Sequence, residues 1–229
     1  MLELRPFARL GTFRNDWLNA HYHFSFADYF DPQRMGVGKL RVWNDDTIEP
    51  HTGFPPHGHR DMEIVTYIRE GAITHEDSLG NVGRTEAGQV QVMSAGTGIR
   101  HAEYNREEGP TTLFQIWILP RAQGLAPRWE TRDFPRTHGQ LEVLASGFAE
   151  DTGALSIHQD ARVLGATLTA GDRVVHPLGR HAAYLVAAKG RVVVNGVEVG
   201  PRDGLVAVDE GELAIDTLED AEVVIVETA

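Results

Sequence analysis

Two short stretches carry the residue types that could do chemistry. They are His57-Gly58-His59 and His101-Ala102-Glu103. In each, the candidate ligands are spaced two apart, and on a β-strand residues i and i+2 share a face. Two such strands facing each other inside a barrel would aim three imidazoles and one carboxylate at a single point. The chain contains no cysteine, so disulfides, thiolate metal sites and thiol catalysis are excluded, and any ion is held by nitrogen and oxygen. Three neutral imidazoles with a carboxylate suit Fe(II), Mn(II), Ni(II), Co(II), Cu(II) or Zn(II) and leave coordination positions open. The missing sulfur and the open positions favour a redox-capable ion, because a structural site closes all its positions. Ligation needs neutral histidines, so affinity is expected to fall below about pH 6. Glu63, four residues after His59, is a second carboxylate that a bend could bring up to orient an imidazole. His21-Tyr22-His23 repeats the spacing, but Trp17, Tyr22, Phe24 and Phe26 neighbour it and it lacks an acidic partner at comparable spacing. It is assigned to a strand packed under the barrel. His51, His75, His138, His158, His176 and His181 are read as structural or exposed.

The elements that must position these residues are strands. Glycine (24) and proline (11) punctuate the whole length. Between them lie short runs rich in Val, Ile, Thr and aromatics, at residues 37–43, 63–68, 90–93, 113–119, 183–187, 191–195 and 223–227. Regularly spaced short strands with turn signals predict an all-β protein. The one helical suggestion is a turn over residues 24–30, which Pro32 would stop. An internal repeat sharpens the architecture. With Gly71 set over Gly190, HGHRDMEIVTYIREG (57–71) lies over HPLGRHAAYLVAAKG (176–190), and GQVQVMSAG (88–96) resembles GLVAVDEG (204–211). Two similar β-units predict a metal-binding domain over residues 1–135 and a second domain over 136–229, joined through the proline-containing stretch 120–135. The repeat is asymmetric. His57 lies over His176, but His59 lies over Leu178, and the stretch answering His101 and Glu103 offers only Asp216, Glu219, Asp220 and Glu222. One metal ion per chain, in the first half, is the expectation.

A composition of 41% hydrophobic and 24% charged residues is that of a globular protein. A net charge of −12 argues against nucleic-acid binding, which needs Lys and Arg to neutralise phosphates. No run approaches the 18 apolar residues of a membrane span, and the N-terminus has no apolar core of a secretory signal. A cytoplasmic protein is expected, and its acidic surface would suit a basic protein partner.

The two ligand pairs resemble the two motifs of the cupin superfamily, small antiparallel β-barrels. The His-x-His, Glu63 and closing Gly71 of the first motif are present with one residue more than the usual spacing. Gly88, Gly96, His101 and Asn105 of the second are present with an insertion before the histidine. HFSFADYFDP (23–32), FPPHGHRDMEIVTYIREG (54–71) and MSAGTGIRHAEYN (93–105) look like the pirin family of bicupins, and LFQIWILPRAQGLAPRWE (113–130) is similar to its bacterial quercetinase branch. The resemblance implies two jelly-roll barrels in one chain. It also implies a divalent metal, usually iron, on His57, His59, His101 and Glu103, and flavonol dioxygenase activity with O2. In that reaction the ion binds the substrate's 3-oxygen, and Glu103 is the catalytic base that takes the 3-hydroxyl proton. A flat aromatic substrate needs an apolar slot. Phe54, Pro55 and Pro56 stand at a plausible mouth, with Trp43, Met93 and Phe114 as candidate walls. The family offers a second role, an iron-binding regulatory or adaptor protein acting through protein partners. Another cupin chemistry, such as an isomerase or a dioxygenase of a small polar substrate, is a third.

Overall fold

Alternation along the strands sets the layers. In the strand Leu40–Ile48, Trp43 packs between the two halves of the chain, while Asn44, Asp46 and Ile48 point the other way, into the first barrel. The computed structural model describes residues 1–229. It is all-β with a jelly-roll barrel in each half, as expected. Its one helical element is a short 3-10 turn at Phe7–Arg9, and residues 24–30 form a tight turn closed by Phe26 and Tyr29 rather than helix. No helix is long and apolar enough to cross a membrane.

Each half pairs a seven-stranded sheet with a four-stranded one. In the first half the larger sheet runs Arg128–Asp133, Gln89–Ser94, Glu63–Glu70, Thr111–Ile118, Leu40–Ile48, Leu18–Tyr22 and Gly11–Arg14. The smaller runs Thr52–His59, Ile99–Asn105, Ala72–Asp77 and Val82–Glu86. The second half repeats the plan, with Glu63–Glu70 answered by Ala182–Lys189 and Thr52–His59 by Arg173–Pro177. One outer strand crosses between the halves and another stays with its own. Leu2–Arg5, at the start of the chain, pairs with Gly204–Ala207 in the second half's sheet. Arg128–Asp133, within the proline-containing connection, pairs with Gln89–Ser94 in the first.

The two seven-stranded sheets pack against each other through one shared core. Phe24, Trp43, Tyr67 and Phe114 from the first half meet Tyr184, Val186, Val224 and Val226 from the second in one buried cluster. Trp43 and Phe114 are therefore core between barrels, and Met93 packs with Ile64, Ala95 and Ile99. None of the three lines the cavity described below. A one-residue parity decides this for Trp43 and Phe114, whose neighbours Asn44 and Gln115 face inward, whereas Met93 faces into the first barrel but is covered by its own apolar cluster.

The structure also adjusts the repeat. Gly71 and Gly190 are equivalent turn residues, with φ of +75° and +72°. However, Val90 pairs with Tyr67 as Gly204 pairs with Val186, so Gly204 answers Val90 and not Gly88. Gly204 is required by a close approach: a Cβ there would lie 1.9 Å from the Tyr184 hydroxyl. In the second barrel His176 pairs with Leu213 as His57 pairs with His101. Leu178, Leu213 and Ile215 are buried in that barrel's apolar cluster, and His176 turns to Glu227.

Candidate metal centre and cavity

The strands Thr52–His59 and Ile99–Asn105 are antiparallel neighbours, with His57 directly opposite His101. The register then slips, so that Glu103 faces Phe54. The extra residue of this bulge falls in Pro55-Pro56. Thr52–His59 is an edge strand, where prolines without N–H donors are tolerated. One ring nitrogen from each of His57, His59 and His101 lies within 4.8 Å of the other two, and His57 Nε2 stands 3.1 Å from His101 Nε2.

The far side of each ring fixes which nitrogen is free. His57 Nδ1 donates to the Pro55 carbonyl oxygen at 2.9 Å, leaving Nε2 as a lone pair. His101 Nδ1 lies 3.4 Å from His75 Nδ1, and His75 Nε2 lies 2.9 Å from Asp77 Oδ2. The consistent proton placement is His101 Nδ1–H donating to His75 and His75 Nε2–H donating to Asp77, which turns His101 Nε2 toward His57. This is the ring-orienting support that metal-bound imidazoles require. Burial, reinforced by the neighbouring rings, lowers the His101 pKa to about 2 and that of His59 to about 4, so both rings are neutral and ligand-ready. The residues therefore fit a divalent transition metal, and they form a potential His/Glu metal-binding site.

Glu103 is fully enclosed. Its Oε1 accepts from Gln91 Nε2 at 2.6 Å and its Oε2 from Gln115 Nε2 at 2.9 Å. Burial pushes its pKa up to about 7 against the opposing pull of the two amides. A carboxyl oxygen of Glu103 clusters with ring nitrogens of His101 and His75, within 4.8 Å. Glu63 is elsewhere. Asp61 adopts a left-handed φ of +48°, the chain turns after His59, and Glu63 opens a strand of the other sheet, where it accepts from Ser94 Oγ at 2.6 Å. Counting i+4 along one strand does not survive that turn, so Glu63 orients no ligand. The pair His21 and His23 serves structure. His21 packs on the Phe7 ring, and His23 is fully buried with Nδ1 2.7 Å from the Tyr184 hydroxyl.

A cavity of about 630 Å³ opens onto the three imidazoles and Glu103. Its walls are Trp17, Tyr22, Phe26, Tyr29, Phe54 and Trp117, and its polar lining includes Asn44, Asp46 and Gln115. Trp117 meets the His59 ring edge-on at 4.9 Å and the Phe26 ring at 5.4 Å. The sequence reading placed Phe54 correctly and missed most of the rest. A signal existed for His75: His75-Glu76-Asp77 repeats the i, i+2 spacing, on the strand beside the second ligand strand. Gln91 and Gln115 gave none, because a glutamine in an apolar strand reads as an exposed position.

Comparison with known proteins agrees with this geometry. The Pirin family matches residues 4–118 and the quercetinase C-terminal cupin domain matches 143–228. A pirin-like protein of Caulobacter vibrioides is 56% identical over the full length of both chains. A quercetin 2,3-dioxygenase of Escherichia coli K12 is 42% identical, covering 98% of this chain and 97% of its own. The crystal structure of the bacterial pirin YhhW of Escherichia coli in complex with nickel(II) superposes with a TM-score of 0.95 at 40% identity, covering 100% of this chain and 99% of that one. With two stacked barrels and one cluster of converging imidazoles, the chain belongs to the pirin family of bicupins.

Proposed function

We propose that this chain is a metal-dependent dioxygenase that opens a flavonol-type aromatic ring with O2 and releases carbon monoxide. The observation that carries the reading is the convergence of three imidazoles on a mostly apolar cavity that also holds Glu103. His57, His59, His101 and Glu103 would hold the ion. The family resemblance and the open, sulfur-free ligand set favour iron. When bound, the ion supplies Lewis acidity at the substrate's 3-oxygen. The chain does the rest. The aromatic walls accept a flat ring system and exclude water. Gln91 and Gln115 each occupy one acceptor site on Glu103, leaving a lone pair on each carboxylate oxygen to take the 3-hydroxyl proton. Burial, which pushes the Glu103 carboxyl up to about 7 in the metal-free chain, strengthens it as a base.

The test is to load metal-free protein with each divalent ion in turn and follow flavonol absorbance together with oxygen uptake. Turnover with at least one ion is expected. Glu103→Gln should lower it by about 10²–10⁴-fold while the ion is retained. Full activity in that variant removes Glu103 as base. No turnover with any ion removes the dioxygenase reading in favour of an adaptor role.

A further inference from the structure

The cavity holds more polar chemistry than the proposed reaction uses. Asn44 and Asp46 point into it from the strand Leu40–Ile48, and each is almost wholly buried, at 4% and 2% exposure. Asn44 Oδ1 and Asp46 Oδ1 have no hydrogen-bond partner in the protein. The other buried carboxylates of this half are provided for: Asp45 by Arg69 and Arg202, Glu63 by Ser94, and Glu103 by two glutamines. Buried polar groups are as a rule paired, and leaving one unpaired costs stability. The orphaned Oδ1 atoms are sealed in the wall, and the other polar atom of each side chain, Asn44 Nδ2 and Asp46 Oδ2, is what the cavity lining offers a ligand.

We propose that Asp46 and Asn44 form a seat for a hydroxyl group that the substrate carries in addition to the oxygen it presents to the histidines, so that the cavity selects polyhydroxylated aromatics over their less substituted parents. This deepens the flavonol reading and rests on it for the identity of the aromatic. The chemistry of the seat points to a hydroxyl. Burial, with the charges of Asp45 and Glu103 nearby, holds the Asp46 carboxyl well above the usual carboxylate range. A neutral carboxyl oxygen donates or accepts, and the Asn44 amide nitrogen donates. A phenolic hydroxyl donates and accepts in return. An anionic substituent is disfavoured, because no Lys or Arg lines the cavity.

The test compares 3-hydroxyflavone with derivatives bearing an added hydroxyl on the fused ring or on the pendant ring. Binding to nickel-loaded protein is read by quenching of tryptophan fluorescence, alongside kcat and KM. Wild type should bind at least one hydroxylated derivative about tenfold more tightly than the parent. Asp46→Leu should abolish that preference, leave parent affinity unchanged or improved, and raise thermal stability. A merely structural Asp46 would instead lower stability and weaken both ligands together. If Asp46→Leu does not fold, Asn44→Leu carries the same comparison. Equal wild-type affinities, parallel losses in the variant, or no binding of any flavonol overturn the seat. Turnover without hydroxyl preference sinks the seat and leaves the dioxygenase. A preference that disappears in the variant, with no turnover by any metal, does the reverse.

Discussion

Three histidines differ here from three histidines in a peptide because of what stands behind them. The chain Asp77–His75–His101 fixes the orientation of one ring, and the Pro55 carbonyl fixes another. Asp77→Asn or His75→Phe should therefore weaken metal binding by about 10–100-fold while the barrel stays folded, as read by competition with a chelator and by circular dichroism. Burial also changes the acid response. In the unfolded chain His59 and His101 take up protons near the ordinary 6.5. In the folded, metal-free chain they do so at about 4 and about 2. Below pH 6.5 the unfolded state thus binds protons that the folded state refuses, and stability falls as pH falls through that window. A lower urea midpoint at pH 5 than at pH 7, with both imidazoles still neutral by NMR at pH 5, is expected. From sequence alone, proton competition at every ligand was placed near pH 6. At these two residues burial moves it lower, and burial depends on neighbours that spacing does not reveal. The grouping of the candidate ligands was legible because the two-residue period of a strand is local. Asp46, Gln91 and Gln115 were not, because their inward orientation depends on the register of distant strands.

At the scale of elements, the edge position of Thr52–His59 explains how a proline pair can sit inside a ligand-bearing strand. The bulge at Pro55-Pro56 changes the pairing between His101 and Glu103 and so helps set where each points. In the second half Gly204, the equivalent of Val90, is held by a close approach. Its Cα is all that fits beneath the Tyr184 hydroxyl and His23 Nδ1. Gly204→Ala should cost about 1–3 kcal/mol through overpacking, seen as a lowered melting temperature. The repeat was legible in the apolar runs and turn glycines. It was misaligned by two residues at Gly204, because a glycine kept for close approach looks in sequence like one kept for a turn.

For the whole molecule, the decisive surface is the one between the barrels. Asp45, fully buried, accepts from Arg69 of its own half and from Arg202 of the other. Removing one partner of a buried ionic cluster strands the remaining charges. Asp45→Ala should lower unfolding free energy by about 3–5 kcal/mol in urea titration, with the metal-binding residues untouched. The all-β class and the doubled barrel were readable from composition, period and repeat. The crossing of Leu2–Arg5 was not, since residues 2–5 carry no mark of a partner two hundred positions away. That crossing has a consequence for biosynthesis. The segment Leu2–Arg5 is made about two hundred residues ahead of its partner and finds its hydrogen-bonding edge only once 204–207 have left the ribosome. Until then the opening stretch of polypeptide is held in suspense, and its annealing, which closes a very long loop, belongs among the last acts of maturation.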